Sequence, residues 1–360
     1  MKSVTFRLTL ITLLAFGLLG LSMKLNASNT TSTGESITLY NWGDYIDPDI
    51  IHQFEKETNI QVIYETFDSN EGMKAKIEQG GTTYDIAIPS EYMIEMMKED
   101  DLLLPIQHEK LPHLSSIDPY FLDWSFDPKN EYSIPYFWGT VGVAYNPTLL
   151  DDDFTFESWE QLWDPRLTND IIIVDSAREV LGVGLNKNGD SLNETSPEKL
   201  ERSFQTMNDL LPNVKAVIGD EVTQLMIHEE ASVAITWSGQ VVDMMEDNEH
   251  ITFQVPKSGS NIWFDNIVIP KTAKNIDGAH AFIDFLLRPE IAAQNAEYVG
   301  YATPNKDALQ HMDPEIVHDE RFYPDEKNRQ HLEVYRYLGR ENLAIYNEYF
   351  LQWKMNLMTK

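Results

Sequence analysis

Between residues 36 and 89 the hydrophobic period switches back and forth between two and about 3.6, and this limits the available folds more than any other feature. Residues 36–40 (SITLY) read as a strand. Asp47-Pro48 then caps a helix that carries Ile50, Ile51 and Phe54 on one face and stops near Asn59. Residues 61–66 (QVIYET) alternate as a second strand, Asn70 caps a short helix closed by Gly80-Gly81, and residues 84–88 (YDIAI) form a third strand ending at Pro89. Strand, helix, strand, helix, strand within about 50 residues is a βαβαβ unit, which implies a parallel sheet with right-handed crossovers.

A second set follows. Ser158 and Gln161 have capping-box spacing before a short helix, and residues 170–175 (DIIIVD) form a buried strand. Ser196-Pro197 opens a helix with Leu200, Phe204, Met207 and Leu211 at helical spacing. Residues 232–237, 251–256 and 263–270 read as further strands, residues 277–287 as an amphipathic helix, and the last 30 residues as helices packing across the back. A chain of 360 residues suits two domains. No long linker separates them, so two α/β lobes joined by strands that cross between them fit best, with a cleft at the strand ends.

Residues 1–34 differ from the rest. They hold Lys2, Arg7 and Lys24 with no acid, around an apolar run from Leu8 to Met23, followed by a polar tether, NASNTTSTG. This predicts an export signal or N-terminal membrane anchor. The chain has no cysteine, which excludes a lipid-anchoring site, disulfides, thiolate catalysis and Fe–S clusters.

The charge balance, 27 Lys+Arg against 58 Asp+Glu, argues against nucleic acid and favours cationic ligands. No HExxH, Walker A or GxSxG motif occurs, Gly182-Val183-Gly184 lacks the third glycine of a dinucleotide fingerprint, and the nine histidines are scattered. No metal or cofactor is expected. Paired carboxylates leave glycoside hydrolysis open.

Several segments place an aromatic residue beside an acid or hydroxyl at the end of a predicted strand: Trp42-Gly43-Asp44-Tyr45, Ser90-Glu91-Tyr92, Ser176 to Glu179, Thr236-Trp237-Ser238, Trp263-Phe264-Asp265 and Gly300-Tyr301. If the strands are parallel, these ends converge on the cleft. The result is a box with aromatic walls and a few carboxylates. Ring faces attract ammonium groups, carboxylates bind them with charge-assisted hydrogen bonds, and methylene chains bury apolar area on the rings. That chemistry matches an aliphatic polyamine. A sugar would also stack on the rings but gains little from the surplus negative charge.

At these segments the sequence resembles the spermidine/putrescine-binding proteins, the extracytoplasmic receptors of polyamine ABC transporters. The likeness runs through YNWGDYI (40–46), FDSNE (67–71), YDIAIPSEY (84–92), YSIPYFWGT (132–140), AREV (177–180), WFDN (263–266), AFIDFLLRPE (281–290) and GYATPN (300–305). It implies an α/β, two-lobe type II periplasmic-binding-protein fold, each lobe a mixed, mostly parallel sheet flanked by helices, with the ligand in the interlobe cleft. Lobe 1 would comprise residues 35–142 and 264–311, and lobe 2 residues 143–263 and 312–360. The family's aromatic box falls on Trp42, Tyr45, Tyr92, Trp237, Trp263 and Tyr301, and its amine-holding carboxylates on Asp44, Glu179 and Asp265, with Ser90 as a lining hydroxyl. Glu179 and Asp265 would take the inner amine beside Trp263, and Asp44 a terminal ammonium. Ser176 and Gly43 replace an Asp and a Thr of spermidine-preferring members, so each removes an acceptor. The resemblance also implies a monomer outside the cytoplasm, in the periplasm or on the outer face of the membrane. Its partner would be an ABC permease, and it would touch the membrane through that permease or the N-terminal segment. A carbohydrate receptor of the same fold and an extracellular glycoside hydrolase are the alternatives.

Overall fold

A computed structural model describes residues 35–360; the predicted export segment, residues 1–34, lies outside them. In chain order the main elements begin with β1 (Ser36–Trp42), α1 (Pro48–Thr58), β2 (Gln61–Phe67), α2 (Asn70–Gln79), β3 (Ile86–Ala87), α3 (Glu91–Glu99), β4 (Leu103–Leu104) and β5 (Ser133–Tyr145). They continue with β6 (Ile171–Val174), α4 (Ala177–Lys187), α5 (Pro197–Leu210), β7 (Val214–Ile218), α6 (Val222–Ile227), β8 (Val233–Trp237), α7 (Ser238–Asp247) and β9 (Thr252–Gln254). The series closes with β10 (Ser260–Pro270), α8 (Ile276–Leu286), α9 (Pro289–Val299), β11 (Leu332–Glu333) and α10 (Arg340–Thr359).

The strands form one mixed sheet ordered β2-β1-β3-β10-β5-β8-β6-β7, with β4 and β11 beside β10 and β9 beside β5. The predicted parallel unit is present, since β1 pairs in parallel with both β2 and β3. A second parallel group, β8-β6-β7, lies at the other end. Between them β5 and β10 run antiparallel to each other, and β10 is also antiparallel to β3, as β5 is to β8. The buried apolar residues divide at the same place. One cluster draws on residues 37–138 and 262–312; the other two draw on residues 141–253, joined by Trp263, Tyr346, Phe350 and Trp353.

Local chemistry explains where the elements stop. Asp47 caps α1 by accepting the Asp49 N–H, and Asn59 ends it in the left-handed region at φ 59°. The cap of α2 is Ser69, not Asn70, whose amide is used elsewhere. Ser158 opens a 3-10 turn rather than an α-helix, and no capping box forms: the Gln161 side chain turns away, its oxygen accepting the Thr155 hydroxyl and its nitrogen donating to the Asp153 carbonyl. The last 30 residues hold a single 20-residue helix, which buries Tyr346, Phe350 and Trp353.

The third strand is shorter than its pattern predicts because Asp85 acts as a hub. Its buried carboxylate accepts the N–H groups of Thr38 at 2.8 Å, Lys274 at 2.7 Å and Asn275 at 2.8 Å. It thereby fastens β1 to the start of α8. Asp85→Ala strands three buried or half-buried donors and should cost about 2–4 kcal/mol. A urea titration measures this; an unchanged midpoint would remove Asp85 from the scaffold.

Candidate functional site

The site is organised on β10, every residue of which is buried. Trp263 and Asp265 are two apart and therefore share a face of the sheet. They lie in the middle of the strand rather than at its end, because β10 runs antiparallel to β3 and β5 and spans both. The ladder to β5 shifts register between Asp265 and Asn266, which breaks regular pairing next to the acid.

Asp265 is 6% exposed, and each of its oxygens receives a hydroxyl. Tyr45 Oη donates to Oδ2 at 2.7 Å and Ser90 Oγ donates to Oδ1 at 2.6 Å. Burial pushes the carboxyl up to about 6, against the two hydrogen bonds that hold it down. Ser90 stands at the N-cap of α3 but makes no capping bond with its side chain, which is committed to the acid.

Asn70 explains how Ser90 is held. Its Oδ1 accepts the Ser90 N–H at 3.1 Å, while its Nδ2 lies 3.1 Å from both Ser90 Oγ and Tyr92 Oη. The sequence reading assigned Asn70 to a cap and so missed this role, although the FDSNE motif contained it.

Tyr45 follows a tight turn in which Asp44 takes φ 50°. Its carbonyl accepts from Tyr136 Oη at 2.8 Å, and its ring meets those of Tyr136, Phe137 and Tyr301 edge-on, the last at 5.5 Å. Tyr301 continues the wall: after Gly300 ends α9 at φ 79°, its ring meets Trp263 at 5.1 Å and 77°. Two glycines make room for these rings. A Cβ at Gly239 would overlap Tyr301, and one at Gly139 would come within 2.5 Å of Trp263. Sequence reasoning missed both, although Gly139 falls inside the quoted YSIPYFWGT stretch.

Glu179 and Trp237 form a second station. Glu179 occupies the first turn of α4 and is buried; the hydroxyl of Ser176 donates to it, and the Trp237 side chain also hydrogen-bonds it. Burial pushes its carboxyl above the usual range, partly opposed by Ser176. Its negative charge reaches Tyr92, linking the two stations electrostatically.

Direct contacts thus join Tyr45, Ser90, Trp263, Asp265 and Tyr301, with Tyr92 attached through Asn70. Trp42 packs against Phe67 with the rings tilted at 55° and 4.5 Å apart, and its buried indole N–H has no acceptor among the described residues. Asp44 is exposed, and none of the described hydrogen bonds ties its carboxylate to the group. Among the described residues no cluster of three or more His, Asp or Glu could hold a metal ion, and no helix is long and apolar enough to cross a membrane.

Comparison with known proteins matches this architecture. The model of the family described as bacterial extracellular solute-binding protein fits residues 49–323. A spermidine/putrescine-binding periplasmic protein of Salmonella typhimurium is 36% identical over 95% of this chain and 97% of its own length. The solved structure of a spermidine/putrescine ABC transporter protein from Listeria monocytogenes, described as putative, is 55% identical, superposes with a TM-score of 0.85 and covers 89% of this chain and 99% of its own. A spermidine/putrescine ABC transporter substrate-binding protein of Streptococcus pneumoniae is 51% identical with a TM-score of 0.83, covering 90% and 99%. With its mixed sheet and flanking helices shared with these structures, the chain belongs to the bacterial extracellular solute-binding proteins, which carry solutes and are not enzymes.

Proposed function

We propose that this chain captures a polyamine, spermidine or putrescine, outside the cytoplasm and delivers it to an ABC permease without making or breaking a bond. One observation carries the reading. Asp265 is a buried carboxylate that receives two hydroxyls but, among the described residues, no cation, and it is walled by the rings of Tyr45, Trp263 and Tyr301. An ammonium group supplies the missing counter-charge and faces the rings favourably, each such contact worth roughly 0.5–2 kcal/mol. Glu179 and Trp237 offer a second station, and Asp44, Trp42 and Tyr92 line the approach for a terminal amine. In this reading residues 35–142 with 264–311, and 143–263 with 312–360, close around the ligand, which selects the shut state by touching both. The chain acts as a monomer, meeting the membrane through the permease or its N-terminal segment.

A thermal-shift panel of putrescine, cadaverine, spermidine, spermine and neutral oligosaccharides tests the ligand class. Polyamines should raise the midpoint and sugars leave it unmoved. A shift with sugars alone would transfer the protein to carbohydrate capture.

Asp265→Asn should weaken spermidine binding at least tenfold, about 1.4 kcal/mol, in calorimetry. The same change should stabilise the empty protein. The folded carboxyl titrates at about 6 and the unfolded one near 3.9, so between those values the folded state holds more protons. The stability this residue contributes is therefore present below about pH 4 and lost as pH rises through about 6. Asn removes that cost, raising stability at neutral pH by on the order of 2 kcal/mol. A lower melting point for the variant at pH 7 would contradict the argument.

Protonation of Asp265 also predicts that polyamine affinity falls as pH drops below about 6, to be read from titrations at constant ionic strength. Trp263→Phe, which preserves packing better than truncation of this buried ring, should cost severalfold in affinity.

A further inference from the structure

Glu91 has no task in the arrangement described so far. It is the first residue of α3 and is fully buried, and its Oε1 has no hydrogen-bond partner among the described residues. Its Oε2 accepts the Phe264 N–H at 2.9 Å. That amide sits on the edge of β10 where β3 has already ended at Ala87. Nearby, the Asn266 N–H is taken by the Pro89 carbonyl at 2.9 Å and Ser90 bridges Asp265. Residues 89–91 thus stand in for a missing strand, and Glu91 satisfies the one amide between Trp263 and Asp265.

The charged and titratable groups around it are Asp265 on β10, Arg178 on α4, Tyr92 on its own helix and Tyr335 from the segment before α10. Arg178 is committed through its two terminal nitrogens, while its Nε has no hydrogen-bond partner among the described residues. Its guanidinium stacks 4.1 Å over Tyr335 and donates to the carbonyls of Leu192 and Arg336 and to Asn193. Burial and the Asp265 charge push the Glu91 carboxyl up to about 8, against the Phe264 N–H, its own N–H and Arg178, which pull it down.

We propose that Glu91 is a positioning residue that couples cation capture to proton release: neutral in the empty protein, it fastens β10 behind Trp263 and Asp265, and an ammonium-bearing ligand makes it give up its proton to the solvent. The O–H bond of the carboxyl breaks, the proton passes to buffer, and the carboxylate remains as a second counter-ion behind the ligand. This rests on the polyamine reading and deepens it.

The test is calorimetry with putrescine and spermidine in parallel at about pH 8, in two buffers of different ionisation enthalpy. At that pH Asp265, which burial pushes up only to about 6, is ionised, and subtracting the Glu91→Gln value removes the contribution of every other group. Wild type should release roughly half a proton more per bound ligand than Glu91→Gln, a difference that cancels any titration of the ligand's own amines. The ratio of wild-type to Glu91→Gln affinity should climb about eightfold between pH 7 and 8.5. Glu91→Ala, which leaves the Phe264 N–H without an acceptor, should bind more weakly than Glu91→Gln at every pH. Should Glu91→Gln fail to fold, carbon-13 carboxyl spectra of Glu-labelled wild type decide: one resonance should titrate near pH 8 without ligand and lose that titration with it. Equal proton release in wild type and Glu91→Gln, or no such resonance, overturns the coupling. Equal affinities for Gln and Ala overturn the positioning role. Absence of binding by both polyamines overturns this inference together with the reading beneath it.

Discussion

A buried carboxylate that meets no cation among the described residues is the constraint around which this molecule is arranged. Isolated burial of such a charge is costly, and only hydrogen bonds or a counter-ion offset it. Asp265 has two hydroxyl donors, enough to hold its geometry but not enough to neutralise it. Everything that fixes Tyr45 and Ser90 therefore also fixes the acid: the turn at Asp44, the Tyr136 hydroxyl, the Asn70 amide and the register shift in β10. In the proposed function, this incomplete satisfaction is what a multiply charged guest would complete.

The aromatic wall follows from the same logic. Rings contribute no formal charge, so they can surround a buried carboxylate without competing for it, unlike lysine or arginine. Tyr45, Tyr301 and Trp263 meet edge to face, the arrangement their quadrupoles favour. Gly139 and Gly239 forgo side chains so that two of those rings can lie against β5 and α7. Arg178, the buried cation nearest the second station, is turned away onto Tyr335 and Tyr346.

Much of this was legible in the linear pattern, for identifiable reasons. The βαβαβ start is written in local periodicity and caps, and Asp47, Asn59 and Gly80 mark real boundaries. The aromatic and acidic residues stood out because they broke the apolar run of strands or closed them. What the pattern did not show depends on contacts distant in sequence. Nothing local to residues 84–88 says that Asp85 will serve two other segments and cut the strand short. Asn70 looks like a cap because its neighbour Ser69 is one, and only the fold reveals its bonds to Ser90 and Tyr92. The strand-end argument suits Trp42, Ser90, Glu179 and Trp237, yet Trp263 and Asp265 lie mid-strand, since an antiparallel partner cannot be inferred from alternation alone. Glu91 reads as an ordinary first-turn acid, and its burial comes from an unpaired amide on another strand.

The antiparallel pair β5 and β10 crosses from one apolar cluster to the others, and Asp265 rides on it. In the proposed closure, rotation of one lobe against the other would twist this two-stranded ribbon. Under that proposal the group that grips the guest and the ribbon that resists opening are a single mechanical component, and grip and stiffness are tuned together.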